Sequence, residues 1–302
     1  MDRIEVLGKK ALAFGCDAAY NEPMSRHTTF QIGGPADLFL TAHNTAMLSD
    51  VLREAKELGV RAMMLGNGSN MLVSDGGVRG AVVFLDGAFC EVSQRGEAEI
   101  VCGAGLSLAG LCNFAKSRAL TGLEFAWGIP GSVGGAVYMN AGAYGDEMSG
   151  IVTSVSHVAP DGTYGILSGD SLRFGYRHSA YMENGCTIVS ATLQLQKGDA
   201  AQIALLMEEH YNSRKAKQPL NKPSAGSVFK RPEGHFAGAL IEQCGLKGRR
   251  VGGAAVSEKH AGFIVNLGGA TCKDVLDLID VIKETVLKET GVSLECEVRM
   301  VS

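Results

Sequence analysis

The feature that most constrains this chain is a run of eighteen residues, 128–145, built largely from small residues. The run contains six glycines, three alanines and one proline, and its first half has almost no large side chains. Because glycine has no Cβ, backbone of this kind can lie close against another surface. That surface is either the planar rings or pyrophosphate of a large ligand, or a neighbouring part of the protein, and the composition leaves both alternatives open.

A second glycine-rich turn, at residues 66–70, follows a short strand candidate. Backbone N–H groups in such a turn can converge on an anion. In a nicotinamide-binding Rossmann domain the turn would open directly into a helix. Here it leads into residues 71–73 and then into a further turn, which argues against a Rossmann domain. Plain tight turns are the alternative, but two such segments in one chain favour an extended dinucleotide as the ligand.

Composition indicates an ordinary globular protein and disfavours several classes of partner. Of the 302 residues 46% are hydrophobic and 20% are charged, and a net charge of −4 without a basic block argues against nucleic acid and anionic membranes. No apolar run approaches the ~20 residues needed to span a bilayer, and the N-terminus lacks a signal-peptide pattern. The eight cysteines show no zinc spacing. We therefore expect no metal, reduced thiols and a cytoplasmic location.

Hydrophobic periodicity predicts an α+β fold. The predicted helices cover residues 45–59, 106–118, 199–213 and 273–290. The predicted strands cover residues 60–65, 81–85, 99–102, 152–158, 187–196 and 293–301. The pattern changes near residues 70 and 200, which predicts three subdomains: 1–70, 71–200 and 201–290, with 291–302 as candidates to join the first.

Two groups of cations could bind an anionic ligand. Arg177 lies among small and apolar residues at 174–179 and could neutralise a carboxylate or an enolate by a bidentate contact, although a surface arginine is the alternative. Arg214, Lys215 and Lys217 place three cations within four residues. They could hold a diphosphate, or they could be a solvated charge cluster.

A serine and two glutamates are candidates for proton chemistry. Ser227 follows a glycine and precedes two apolar residues, which suits a rigidly held hydroxyl. No histidine is placed by sequence to activate it as a hydrolase nucleophile, so a proton-donor role is the one left open. Residues 294–300 alternate strictly and place Glu295 and Glu297 on one face of a strand. Periodicity does not choose between the two carboxylates, and a half-exposed strand with surface charges is the alternative.

Together these segments resemble the UDP-N-acetylenolpyruvoylglucosamine reductase family. The resemblance runs from about Asn21 to Val301, and the order and spacing of the motifs make it specific. The motifs are residues 28–36 (TTFQIGGPA), 66–70 (GNGSN), 128–145, 176–179 (YRHS), 226–230 (GSVFK) and 295–299 (ECEVR).

The resemblance implies an FAD-binding region of the vanillyl-alcohol-oxidase type in two subdomains, followed by a C-terminal α+β substrate domain. It also implies a reaction in peptidoglycan precursor synthesis. NADPH gives a hydride to non-covalently bound FAD, and FAD gives a hydride to the double bond of UDP-N-acetylglucosamine enolpyruvate, which yields UDP-N-acetylmuramate. FAD and NADPH are therefore the expected cofactors.

The resemblance also implies residue roles. Ser227 matches the proton donor, while Arg177 and Glu297 match the pair that steadies the enolate-like intermediate. Glu297 is selected over Glu295 because the family's glutamate directly precedes Val-Arg. The residues that match substrate-binding positions are Tyr176, Arg214 and Lys217. The predicted cofactor-binding residues are Gly66, Asn67, Gly68, Ser69, Asn70, Gly128, Pro130, Gly131, Ser132, Gly134, Gly135 and Asn140.

One departure places the chain in the shorter branch of the family. Residues 181–185 pass quickly to the strand at Thr187, so the extra loop that carries a substrate-covering tyrosine in the other branch is missing. Two rival functions are another FAD oxidoreductase of the same fold acting on an alcohol or hydroxy acid, and a non-catalytic nucleotide-binding protein. The sequence does not give the oligomeric state, and a monomer is the working expectation.

Overall fold

The computed structural model describes residues 2–302 and has the expected mixture of helices and strands. Its α-helices are α1 (Arg3–Ala13), α2 (Thr45–Leu58), α3 (Leu108–Ser117), α4 (Val133–Tyr138), α5 (Ala200–Lys217), α6 (Ala237–Gln243) and α7 (Cys272–Thr290). Within the residues described, none of these helices is both long enough and apolar enough to cross a membrane.

The strands are short and are spread along the whole chain. They are β1 (Asp17–Pro23), β2 (Pro35–Ala42), β3 (Ala62–Leu65), β4 (Met71–Val73), β5 (Val78–Leu85), β6 (Val92–Arg95), β7 (Glu99–Gly103), β8 (Leu120–Thr121), β9 (Gly142–Ala143), β10 (Asp146–Glu147), β11 (Val152–Val158), β12 (Tyr164–Ser168), β13 (Thr187–Gln194), β14 (Gln196–Lys197), β15 (Arg250–Val251), β16 (Ala254–Val256), β17 (Ile264–Asn266) and β18 (Arg299–Val301).

The chain divides into two compact units, and each has its own hydrophobic core. The first unit comprises Met1–Tyr20, Leu38–Asn67 and Gly80–Asn212. The second comprises Asn21–Asp37, Gly68–Arg79 and Ser213–Ser302. These bounds differ from the expected divisions at residues 70 and 200, because two early segments hydrogen-bond with late ones. The assignment of two subdomains to FAD and of a third to the substrate stays a prediction.

The first unit is organised around a five-stranded antiparallel sheet in the order β12-β11-β13-β7-β6. A four-stranded sheet, in the order β1-β2-β5-β3, has most of its residues in the same unit. Helix α2 confirms the prediction for residues 45–59. Its apolar stripe is buried, the Asn44 side chain caps its first turn, and Gly59 ends it in the left-handed conformation at φ +65°.

The second unit combines the antiparallel sheet β15-β16-β17, the parallel pair β18–β4 and helices α6 and α7. Helix α7 confirms the prediction for residues 273–290. Thr271 and Asp274 form a capping box at its start, and Gly291 ends it at φ +75°. Asp75 adds a second cap, because its carboxylate accepts the amide N–H of Cys272 at 2.7 Å and that of Lys273 at 3.0 Å.

One predicted strand was wrong in its extent, and one short helix was not predicted. The strand predicted over residues 293–301 is limited to Arg299–Val301, and Met300, expected on the apolar face, is 48% exposed. Residues before this strand exchange hydrogen bonds with two different neighbours and form no continuous ladder. The helices predicted from periodicity did not include the glycine-rich run, which contains the short helix α4. Its Ser132 cap and the burial of Val133 and Val137 outweigh the low helix propensity of glycine.

Candidate active site

The two glycine-rich segments predicted to hold one dinucleotide meet in the first unit. A Cβ built on Gly66 would lie 2.5 Å from Ser132 Oγ, so only glycine permits this approach. Ser132 is buried, and its hydroxyl accepts the N–H of Gly135 at 3.3 Å. The serine hydroxyl therefore both caps α4 and lies against the turn that follows β3.

The remaining residues of this region divide into packed and open positions. Gly134 is packed, since a Cβ there would lie 2.9 Å from the Cβ of Ala104. Asn67, Pro130 and Gly135 are exposed. The other two predicted contacts, Gly128 at φ +82° and Gly131, are half-buried.

The open positions pass a test of fit for FAD. A Cβ built on Gly135 would have only Ser132 Oγ nearby, at 3.4 Å, so the glycine leaves space in which backbone faces solvent. An exposed backbone without side chains is what the rings or pyrophosphate of a large dinucleotide need for close approach. The chemistry of this region therefore fits FAD.

The second half of the 66–70 turn belongs to the second unit. Gly68 has φ +59°, and a Cβ there would lie 2.1 Å from the carbonyl oxygen of His27. Ser69 is half-buried. The Asn70 side-chain amide donates to the carbonyl of Glu297 at 3.3 Å, and its own carbonyl accepts the N–H of Arg299 at 3.0 Å. Asn70 thus contacts the segment that carries the predicted catalytic glutamate.

Arg177 lies at the tip of a tight turn in the first unit. Gly175 and His178 exchange both backbone hydrogen bonds, each 3.1 Å, so Tyr176 and Arg177 are the two central residues. Arg177 has φ +54°, a left-handed conformation that is rare for a residue with a Cβ and is concentrated at functional sites. The Tyr176 side chain is 55% exposed, and the Arg177 guanidinium lies 5.2 Å from the centre of its ring.

Asn140 holds this turn. Its side chain is 0% exposed, its amide N–H donates to the carbonyl of Gly175 at 3.0 Å, and its side-chain oxygen accepts the N–H of Ser149 at 2.9 Å. Ser179, directly after the turn, donates from its hydroxyl to the carbonyl of Tyr138 at 2.7 Å. The Asn140 amide is therefore engaged with backbone inside the protein, and its place among the cofactor contacts stays a prediction.

The structure brings Ser227 and Glu297 onto neighbouring segments of the second unit. The carbonyl of Val228 accepts the N–H of Glu297 at 2.7 Å, and Lys230 N–H donates to the carbonyl of Glu295 at 2.9 Å. The two glutamates differ in their surroundings. Glu295 is 75% exposed and pairs with Lys230 at 3.1 Å, whereas Glu297 is half-buried. The exposure of the two side chains therefore distinguishes Glu297 from Glu295, which the alternating sequence pattern could not do.

On its other side, the Ser227 segment contacts a turn that no sequence motif had identified as part of the site. Ser227 and Phe263 form an isolated antiparallel bridge, and the N–H of Val228 donates to the carbonyl of Gly262 at 2.9 Å. His260 lies in this turn. No local pattern links a serine to a histidine so far along the chain, so only the fold reveals the contact.

The predicted diphosphate cations lie at the C-terminal end of α5. Arg214 is buried, with 9% of its surface exposed, whereas Lys217 is exposed. The Lys259 ammonium donates to the carbonyl of Lys215 at 2.5 Å, which adds a further cation to this end of the helix. Positive charge here is stabilised by the helix dipole, so the cluster has a structural role as well as a capacity for anions.

Comparison with known protein families matches two parts of the sequence. Residues 36–168 match an FAD binding domain, and residues 218–301 match the C-terminal domain of UDP-N-acetylenolpyruvoylglucosamine reductase. The UDP-N-acetylenolpyruvoylglucosamine reductase of Lachnoclostridium phytofermentans is 47% identical over 286 residues, which covers 93% of this chain and 92% of that protein. The protein of the same name from Clostridium novyi is 48% identical over 278 residues, 92% of this chain and 90% of its own length.

Solved structures agree in fold. The crystal structure of UDP-N-acetylenolpyruvylglucosamine reductase from Thermus caldophilus superposes with a TM-score of 0.82 at 36% identity, covering 95% of this chain and 99% of that one. A berberine-bridge-enzyme-like protein from Physcomitrella patens superposes with a TM-score of 0.51 at 14% identity over 96% of this chain and 61% of its own, a likeness of fold alone. These matches confirm the predicted fold class, an FAD-binding region of the vanillyl-alcohol-oxidase type followed by a C-terminal α+β domain.

Proposed function

This chain belongs to the UDP-N-acetylenolpyruvoylglucosamine reductase family, and from that premise we propose that Ser227, Arg177 and Glu297 carry the proton chemistry of its reaction. The reaction is the FAD-dependent reduction of UDP-N-acetylglucosamine enolpyruvate to UDP-N-acetylmuramate in peptidoglycan synthesis, with NADPH as the reductant. One hydride and one proton are added across the enolpyruvyl double bond. When bound, FAD would supply the redox chemistry, as acceptor of a hydride from NADPH and donor of a hydride to the β-carbon.

The observation that carries the proposal is the direct pairing of the Ser227 and Glu297 segments through the carbonyl of Val228. Once the β-carbon has received a hydride, the negative charge is shared between the α-carbon and the carboxylate. The Ser227 hydroxyl then gives its proton to the α-carbon, which completes the new C–H bond. Serine is a weak acid, so this step needs a fixed hydroxyl in a site of low dielectric constant.

Arg177 supplies the positive charge for the enolate-like intermediate. A guanidinium can bind a carboxylate through two parallel N–H···O bonds, and its effect is greatest where the charge develops and water is excluded. The left-handed backbone at Arg177 sets the direction of its side chain, and the Asn140 contact to Gly175 holds the turn. Glu297 is the second member of the pair that steadies this intermediate in the family, and its carboxyl group can hold a proton.

Substrate recognition is assigned to a separate group of residues. Tyr176, exposed beside Arg177, suits contact with the sugar or nucleotide portion of the substrate. Arg214 and Lys217, at the C-terminal end of α5, suit the diphosphate. The glycine-rich segments 66–70 and 128–135 would hold FAD.

The test is an anaerobic comparison of the two half-reactions in Ser227→Ala and in a matched control, Ser224→Ala. Reduction of the flavin by NADPH, followed as bleaching of its visible absorption, should proceed at the wild-type rate in both variants. Reoxidation by UDP-N-acetylglucosamine enolpyruvate should fall by about 10²–10⁴-fold in Ser227→Ala alone, the usual contribution of a positioned acid. Equal losses in both half-reactions, or an unchanged reoxidation rate, would reject the proton-donor role.

We also propose a cytoplasmic location and a monomeric state. The location rests on the substrates, because NADPH and nucleotide-activated sugars are cytoplasmic metabolites. The monomeric state is the working expectation for this chain. Sedimentation analysis of the FAD-loaded protein measures it directly, and a concentration-dependent rise in mass would overturn it.

A further inference from the structure

The turn that contains His260 is fixed by hydrogen bonds from both of its ends. The Ser257 hydroxyl oxygen accepts the N–H of Lys259 at 3.2 Å and that of His260 at 3.3 Å, and Phe263 N–H donates to the carbonyl of His260 at 3.0 Å. The imidazole packs edge-on against the Phe263 ring, with 5.0 Å between their centres. The histidine ring is therefore held in one orientation.

The imidazole and the Ser227 hydroxyl lie beside the same glycine. A Cβ built on Gly262 would lie 3.1 Å from His260 Cε1 and 3.4 Å from Ser227 Oγ. Gly262 also forms a hydrogen bond with each neighbour. Its N–H donates to His260 Nδ1 at 3.1 Å, and its carbonyl accepts the N–H of Val228 at 2.9 Å. A chain of two hydrogen bonds thus runs from the imidazole through one glycine to the backbone next to Ser227.

The first of these bonds fixes the form of the imidazole. Because the N–H of Gly262 donates to Nδ1, that nitrogen carries a lone pair and the proton of the neutral ring lies on Nε2. Burial lowers the pKa of His260 below its ordinary value, and the charge of Lys247 adds to this effect. A hydrogen bond with the residue's own backbone and the charge of Glu242 act in the opposite direction without reversing it. Lys247 and Glu242 also pair with each other at 2.6 Å. The neutral ring is therefore the form present near pH 7.

We propose that neutral His260 is a positioning residue for proton transfer, which holds Ser227 in place through Gly262. The inference rests on the proposed role of Ser227. Protonation of the ring would turn Nδ1 into a donor facing the Gly262 N–H, which breaks this bond and releases the turn beside the serine. His260 itself exchanges no proton with the substrate in this scheme. A ring that only packs on Phe263 would show none of this sensitivity.

The test compares His260→Asn with His260→Leu in the FAD-loaded enzyme. The asparagine side-chain oxygen can take the place of Nδ1 as an acceptor and does not titrate, whereas leucine fills the space without an acceptor. We expect His260→Leu to slow reoxidation by the UDP-sugar by about 10- to 100-fold, the loss typical of a catalytic group displaced by around an ångström. His260→Asn should stay within about threefold of wild type, and both variants should keep the wild-type rate of flavin reduction by NADPH.

The pH profile separates a positioning role from a packing role. In the wild type, the reoxidation rate should decline as the pH falls through the pKa of His260 and the imidazole becomes protonated. Because burial lowers this pKa, the decline should lie on the acid side of the ordinary histidine value of 6.5. His260→Asn should remove that decline. A third variant, Gly262→Ala, inserts a methyl group between the imidazole and the hydroxyl and should also slow reoxidation selectively.

Three results would overturn the inference. They are wild-type reoxidation in His260→Leu, equal losses in both half-reactions of that variant, or the same acid limb in His260→Asn as in wild type. Ser227→Ala, measured in parallel, separates this inference from the proposed function. If Ser227→Ala loses reoxidation and His260→Leu does not, only the positioning role fails. If Ser227→Ala is unaffected, both fail.

Discussion

Replacing Asn140 by glycine and by alanine tests whether this residue is a structural tie or a cofactor ligand. Its side chain is fully buried and makes one hydrogen bond to the carbonyl of Gly175 and one from the N–H of Ser149. Its backbone is left-handed, with φ +43°. Both variants remove the amide, but only glycine adopts this backbone conformation without a steric penalty.

The magnitude follows from these contacts. A polar group left without its partner costs about 1–3 kcal/mol. The N–H of Ser149 loses its acceptor, whereas the carbonyl of Gly175 keeps the N–H of His178, so the free energy of unfolding should fall by about 1–3 kcal/mol. Alanine adds about 1 kcal/mol for its Cβ in the left-handed region. Since domains of this kind are stable by about 5–15 kcal/mol, both variants should fold. The alanine variant should be the less stable of the two.

The assay is urea unfolding followed by circular dichroism, on protein with FAD and without it, together with the two half-reactions. We expect the loss of stability in both the FAD-free and FAD-saturated proteins. Because the amide holds the turn that carries Arg177, reoxidation by the UDP-sugar should fall more than flavin reduction by NADPH. A variant of unchanged stability that binds FAD more weakly would refute the structural role of Asn140 and indicate that its side chain contacts FAD.

Other predictions follow from contacts already described. Gly134→Ala should destabilise the protein by about 1–3 kcal/mol in urea unfolding because its Cβ has no room, whereas Gly150→Ala, with open space around it, should not. Asp75→Ala should cost about 1 kcal/mol in the same assay, since it removes a carboxylate cap from α7. Cys102, whose pKa burial raises to about 12, should resist iodoacetamide at pH 8 in the native protein and react in urea. Because the pKa of His260 is lowered in the folded protein, the unfolded chain binds this proton first as the pH falls below about 6.5, and the folded state loses stability. His260→Asn should reduce this loss. An unchanged dependence of the free energy of unfolding on pH would contradict the prediction.

The sequence predicted well the elements that are specified locally. Helices α2 and α7 have their apolar stripe, capping residue and terminal glycine within one continuous segment, so periodicity and end signals locate them to within a residue or two. The strand at Val152–Val158 was predicted with its observed bounds. The glycine-rich segments were recognised as places of close approach, and Gly66 and Ser132 do meet.

Elements that depend on distant partners could not be predicted in this way. The segment at 293–298 alternates like a strand, but its hydrogen bonds are divided between Val228 and Asn70, which no local pattern specifies. The choice between Glu295 and Glu297 came from a family resemblance, and the physical difference between them is a difference of environment. The contact of His260 with the neighbourhood of Ser227 likewise arises only when the intervening chain folds back.

The parallel pairing of β4 with β18 has a consequence for synthesis on the ribosome. All residues of the first unit have left the ribosome once residue 212 has emerged. The segments 21–37 and 68–79 belong to the second unit and pack only when residues 213–302 have been synthesised. Strand β4 receives its neighbour only when Arg299–Val301 is available. Closing so long a loop carries an entropic cost that local contacts avoid. We therefore expect nascent chains stalled before residue 299 to protect the first unit from proteolysis while β4 and its surroundings remain accessible to chaperones and proteases.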